Sequence, residues 1–480
     1  MRSACRRTCW YNRMRYRAKG KGIKPRMWDT EGRSFGIRLM TTLSQGAHLL
    51  ARAIPGGIGL AGLGCFFLAA AGPALYYAVD TSGGGCKLTK LTDAPPSEAA
   101  TNPDKVAWEI FTQINQKAEG GNCLDLDLPS DGRTDGLLVN QISRDTCWQR
   151  WADAGVQGVY ADPDREPEWP TNKREMTERH PSKESLEPPH ATVSPISLDS
   201  AGAPSPSDEI FRPEAGVEVE SRMNRATLDY IRCQGLWNKD GQVAALNEIN
   251  ARRRGEIQFP YGAMEVKAGW RKLCDADGRN CQVKEAYYWR LKRSQDGSRQ
   301  EVWGLVALHV MSKVLPNWLW ATWEHKDNPE IYKVRRYRHD AFGYPNGDGP
   351  SMSLRELLTK AGFGAGSAWW NYRLIGTQVN TVRSTGEATY LGNSVLEQPV
   401  IDSSSCMTCH TRAAVNGKGV YLPINRRSSP GTSARESYNG PPDPLWFLDQ
   451  SSTTSIRFAW LPLDYVTSLR NAKWKSGARN

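Results

Sequence analysis

The sequence lacks the long apolar runs of a polytopic membrane protein: 39% of its residues are hydrophobic, 24% are charged and the mean hydropathy is -0.57. That composition describes a soluble body with at most a small membrane segment. No internal repeat is visible either. Nor does the body have the basic surplus that a net charge of +11 and a pI near 9.1 suggest. Residues 1–40 hold twelve Lys or Arg against Asp29 and Glu31, a net of +10, which leaves residues 81–480 at +1. A body so close to neutral offers no phosphate-binding surface, which excludes nucleic acid as a partner.

Charge is absent from Ala53 to Val79. The densest part, Ile58 to Ala71, is short for a spanning helix and suits the apolar core of a signal peptide. Arg38 and Arg52 precede it and Asp80 follows, an order that puts the N-terminus inside and the body outside. Ala69 and Ala71 form an A-x-A cleavage pattern, while the whole uncharged run, residues 53–79, is long enough for the rival reading, an uncleaved inner-membrane anchor. On both readings the body is exported to the periplasm. Residues 1–39 show no apolar periodicity, and Met40 opens a conventional leader, so translation is expected to start at Met27 or Met40.

The body divides by composition. After a leader of residues 1–80, a helical N-terminal region covers 81–161: Thr101 or Asn102 caps, Pro103 suits the first helical position, and Val106, Ile110, Phe111 and Ile114 recur at helical spacing. A second amphipathic stretch, Cys147 to Ala154, carries Trp148 and Trp151. Residues 162–213 are rich in Pro, Ser and charge, which reads as an extended or disordered insertion. A β-rich domain is expected over 214–350. In it Met264, Val266, Ala268 and Trp270 alternate with Glu265, Lys267 and Gly269, and Trp303, Leu305, Ala307, His309 and Met311 are expected on one strand face. Asn317 to His325 is a further aromatic strand candidate. Residues 351–480 begin with a helix marked by Leu354, Leu357, Leu358 and Ala361. The fold class is thus α+β: an antiparallel sheet or sandwich with flanking helices and a C-terminal segment that carries the chemistry.

That chemistry lies in Cys406-Met407-Thr408-Cys409-His410, a C-x-x-C-H sequence. Two thiols at this spacing add across the two vinyl groups of one porphyrin, and the adjacent His puts an imidazole nitrogen on the iron from the same side. With 11 Cys and 7 His in 480 residues, the pattern arises by chance in roughly 0.4% of such chains. Its competitors fit less well: a zinc site needs further Cys or His ligands nearby, and a thioredoxin-like pair needs a strand-to-helix context. A structural disulfide is the third competitor. The expected cofactor is one covalent haem c, bound by Cys406 and Cys409 with His410 as proximal iron ligand.

After His410 the sequence has no Met and no His, which excludes the small electron-transfer layout with an axial Met downstream. The sixth ligand therefore comes from upstream, is a weaker donor such as Lys418 or Tyr421, or is absent. The upstream candidates are His309, Met311 and His325, then His339 and Met352, with His309 carried forward as sixth iron ligand. Two strong axial ligands favour electron transfer with a redox partner protein or small-molecule donor; an open position favours peroxide or small-substrate chemistry assisted by Glu397, Asn393 or His325, or a sensor role. No catalytic residue is assigned. Trp303, Trp318 and Trp320 are expected to shield the iron. Of the other exported cysteines, Cys86, Cys123, Cys147, Cys233, Cys274 and Cys281, a Cys274–Cys281 bridge around Asp277-Gly278 is expected first and Cys123–Cys147 second.

Several stretches together resemble large, exported, single-haem bacterial cytochrome c family proteins of unassigned function. They are Trp108 with Phe111, Glu265 to Trp270, Gly304 to His309, Trp318 to His325, Asp327-Asn328-Pro329, Gly376-Thr377-Gln378, Gly392-Asn393-Ser394 with Glu397, and Ser404 to His410. The resemblance spans residues 105–155 and 230–470. It implies haem binding at Cys406, Cys409 and His410 and supplies no reaction.

Overall fold

The computed structural model describes residues 76–80, 87–91, 97–118, 145–170, 213–252, 255–274, 284–293, 300–328, 340–345, 349–397, 404–422, 440–451 and 456–477. Gly72–Asn480 form one compact unit. β1 (Tyr76–Asp80) and β2 (Lys87–Leu91) pair antiparallel by themselves. The last residues of the uncharged run are therefore strand. Among the described residues no helix is long and apolar enough to cross a membrane.

The scaffold is a seven-stranded antiparallel sheet: β3 (Ala152–Asp153), β4 (Val217–Met223), β5 (Met264–Lys272), β6 (Trp289–Arg293), β7 (Gln300–Ser312), β8 (Leu319–His325) and β9 (Tyr372–Gln378). The order is β3-β4-β5-β7-β8-β9; β6 pairs the N-terminal end of β7 and β8 its C-terminal end. An α+β architecture with a large antiparallel sheet is thus present. The sheet takes β3 from the N-terminal segment and β9 from the C-terminal one, so it runs through the compositional divisions at 161 and 350.

Directly opposed residues share a face. Lys267, His309 and Thr322 stand in one row, and Glu265, Met311 and Trp320 in the next. The other face carries the rows Val266–Val310–Ala321 and Ala268–Leu308–Trp323. On it lies α1 (Pro103–Ile114), whose Trp108 and Phe111 rings sit 6.1 and 5.1 Å from Trp323. Pro103 at its start and the buried spacing of Val106, Ile110, Phe111 and Ile114 are as the sequence implies. The Cys147 to Ala154 stretch forms a single 3-10 turn, Cys147–Arg150, leading into β3.

A bulge corrects one expectation. Gly269 pairs Ala307 but Trp270 pairs Leu305, so β7 holds one extra residue there. Beyond such a bulge the alternation inverts, and Trp303 and Leu305 go to the face opposite Ala307, His309 and Met311. Two helices of the β-rich segment, α2 (Arg225–Cys233) and α3 (Lys239–Asn250), were not read from periodicity. Their signals are the caps: Asn224 accepts from Thr227 N–H and Asn238 from Gly241 N–H. The first residues of the Pro-rich insertion are docked rather than free. Trp169 is buried, Glu166 pairs with Arg232, and the Pro163 carbonyl accepts from Asn238. Residues 171–212 lie outside the described residues.

Candidate functional site

α4 (Met352–Lys360) leads towards β9, and β9 positions the motif helix α5 (Cys406–His410). Ser405 caps α5, accepting from Thr408 N–H, and Gln378 at the end of β9 both donates to Ser405 Oγ at 2.9 Å and accepts from Met407 N–H at 3.1 Å. These bonds satisfy donors that a helix start otherwise leaves open. Met407 and Thr408 are buried, whereas Cys406, Cys409 and His410 keep part of their surface open. At spacings of three and four residues these three share one helix face.

His410 is held from behind. Its Nδ1 lies 2.8 Å from the carbonyl oxygen of Tyr465, with the Thr467 hydroxyl at 3.4 Å. A carbonyl only accepts, so Nδ1 carries the proton and Nε2 keeps its lone pair. Burial pushes the imidazole down to about 4, so it is neutral near pH 7. Trp320 packs on the ring at 4.4 Å between centroids. This Nδ1–H to carbonyl arrangement is what orients an imidazole for metal ligation through Nε2.

Both motif thiols are free, while Cys147, Cys233 and Cys274 are disulfide-bonded. Burial pushes the Cys406 thiol well up and that of Cys409 to about 11, the latter opposed by Arg412. The expected bridges involve Cys281 and Cys123, which lie outside the described residues, as does Cys86. The donor set of two free thiols and one tautomerically fixed imidazole fits a covalently bound haem c.

Beside the motif, on the same sheet face, stand Lys267, His309 and Glu397. His309 Nε2 is 3.0 Å from both Glu397 carboxylate oxygens, Asn393 N–H donates to Glu397 at 2.9 Å, and Lys267 is 3.9 Å away. Burial alone would push the Glu397 carboxyl up, but His309, Lys267 and the Asn393 amide outweigh it and hold the group below its ordinary value. His309 Nε2, the nitrogen an axial ligand would use, is thus engaged by Glu397.

The other candidates are spread out. Compared with known families, characterised proteins and solved structures, the chain matches none. Met311 shares the motif's sheet face, opposite Trp320. His325 points to the other face by strand alternation; it is fully buried, stacks on Tyr287 at 3.7 Å and donates from Nε2 to the Ala286 carbonyl. Asn393 is consumed by the turn that presents Glu397, its amide bonding Thr322 Oγ1 and the Trp323 carbonyl. Met352 is exposed, and Tyr421 donates to the Leu469 carbonyl. Lys418 is exposed, and His339 lies outside the described residues. Of the three tryptophans expected around the iron, Trp320 touches His410, Trp318 bonds Asp464, and Trp303 is on the opposite sheet face. Sequence reasoning missed Tyr465, Thr467, Lys267 and Gln378 as site residues; strand order brings Lys267 and Gln378 there, and the turn after Pro462 brings Tyr465 and Thr467.

Proposed function

We propose that this chain is an exported c-type cytochrome with one haem attached through Cys406 and Cys409 and ligated by His410, acting in electron transfer. One observation carries the reading: the two free thiols and the free Nε2 of His410 open on one face of α5, in a chain whose other described cysteines are disulfide-bonded. Disulfides belong to the oxidising compartments in which haem c is attached.

The haem would supply a one-electron iron couple. Around it the chain's own groups have separate tasks. The Tyr465 carbonyl fixes the His410 tautomer, Trp320 covers one side of the imidazole, and the partly open cysteine edge gives a redox partner or small-molecule donor its approach.

Glu397's hold on His309 Nε2 favours a second reading, in which the sixth iron position is open. Then His309, its Nε2–H held by Glu397, would present its Nδ1 lone pair to accept a proton from a bound peroxide or similar small ligand. Spectra separate the two. Sharp low-spin reduced bands indifferent to carbon monoxide support electron transfer, and a high-spin ferric spectrum that shifts with cyanide supports the open site. Cys409→Ala is expected to abolish covalent haem staining on a denaturing gel; a normal stain would refute haem attachment.

A further inference from the structure

Among the described residues four non-glycine residues have positive φ: Arg252, Trp318 (63°), Asp464 (48°) and Tyr465 (71°). Three of the four meet at one place. That backbone region crowds any side chain with a Cβ, and it persists only where the surroundings over-determine it. Here they do. The Lys313 ammonium bonds both Asp464 carboxylate oxygens at 2.8 and 2.7 Å and the Pro316 carbonyl at 2.7 Å. Phe259 N–H donates to the same carboxylate at 2.7 Å and the Trp318 indole N–H at 3.3 Å, and Lys313 lies over the Trp318 ring at 5.2 Å. The Lys313 and Asp464 side chains are only 6% and 7% exposed. The next residue, Tyr465, turns its carbonyl onto His410 Nδ1.

We infer that the buried Lys313–Asp464 pair is a positioning device: it clamps the 464–465 turn to the end of β7 and so holds the Tyr465 carbonyl on the proximal imidazole. The inference rests on the haem c reading. A hydrogen bond from Nδ1–H raises the basicity of the ligating nitrogen, and a more basic ligand favours the oxidised iron. Loosening the clamp therefore raises the reduction potential while leaving both thioether cysteines in place.

The test uses the full exported chain, wild type and two variants, Lys313→Met and Asp464→Asn; asparagine tolerates the left-handed backbone, so the second variant perturbs the turn least. Covalent haem staining and far-UV circular dichroism are read beside a redox titration. The expected result is retained stain and fold with a raised potential. The shift is about a tenfold change in the oxidised-to-reduced ratio at fixed poise, equivalent to about 59 mV for a one-electron couple. Arg222→Met, which breaks a buried pair elsewhere on the sheet, is the control and leaves the potential unchanged. Stained, folded variants with the wild-type potential overturn the inference, as does an equal shift in the Arg222 control. Loss of folded protein in both variants would assign the pair to the fold as a whole and overturn it too. An unstained wild type would instead remove the haem reading, and this inference with it.

Discussion

Replacing Glu220 with glutamine tests how the sheet's helix-covered face is held. The Glu220 carboxylate accepts from Arg222 Nε and Nη2 at 2.8 and 2.7 Å, from Arg290 at 2.7 Å and from the Trp270 indole at 2.9 Å, and Arg290 also stacks on Trp270 at 4.1 Å. One side chain thereby ties β4, β5 and β6 together. Burial alone would push its carboxyl up, but Arg290 and Arg222 outweigh burial and hold it at about 2, against an ordinary 4.5. A tenfold change in proton affinity is worth about 1.4 kcal/mol, so the charge contributes roughly 3 kcal/mol at neutral pH. Removing one partner of a buried pair costs about 3–5 kcal/mol, because the remaining charge is left uncompensated. Asp145, whose carboxyl is pushed up to about 6 by burial and, against Arg150, by the Glu220 charge, ionises more readily once Glu220 is neutral, which favours the low end of that range. The expected cost is about 3 kcal/mol at pH 7.

The pH dependence has a definite sign. A depressed carboxylate stabilises above its unfolded value and loses that contribution as pH falls through its folded value. The gap between wild type and Glu220→Gln should therefore be full above pH 4.5 and narrow to about 1.4 kcal/mol at pH 3. Urea unfolding followed by tryptophan fluorescence, with disulfides kept oxidised, measures it. A cost under about 1 kcal/mol at pH 7, or a gap that does not narrow in acid, would falsify this account of the cluster.

Two further outcomes are expected. Burial pushes the Glu265 carboxyl up to about 7 despite a 2.6 Å hydrogen bond from Ser468, so its stabilising share is full below pH 4.5 and lost as pH rises through 7. Glu265→Gln should shrink the fall in urea-unfolding free energy between pH 5 and pH 8, by on the order of 2 kcal/mol for this half-buried group; an unchanged fall shows that Glu265 is already ionised. In Gly343→Ala the new Cβ would lie 2.4 Å from Asp340 Oδ2 and 2.5 Å from Trp108 Nε1, wedging apart a 3.0 Å hydrogen bond. Thermal unfolding should show a loss of about 1–3 kcal/mol, and a wild-type midpoint would mean that the loop yields without cost.

Local patterns were legible because their causes are local. The spacing of apolar residues marked α1, alternation marked β5 and most of β7, and the composition of C-x-x-C-H carried its own chemistry. The bulge at Gly269 and Trp270 was not legible, since an extra residue in β7 is defined only against its partner strand. Helix α3 was hidden for a different reason: it is held by the C-terminal segment, with Gln242 donating to the Leu469 carbonyl and Asn250 to that of Phe458.

By itself the sequence determined the three residues of the motif, the charge asymmetry between residues 1–40 and the rest, and the α+β class, each a matter of residue type and short spacing. Tertiary structure decided what surrounds the motif. The strand register put Lys267 and His309 beside it and turned His325 and Trp303 away, because in a sheet one residue of register decides the face. It also brought the Tyr465 carbonyl to His410 from 55 positions along the chain, through a buried ion pair whose partners no local pattern connects.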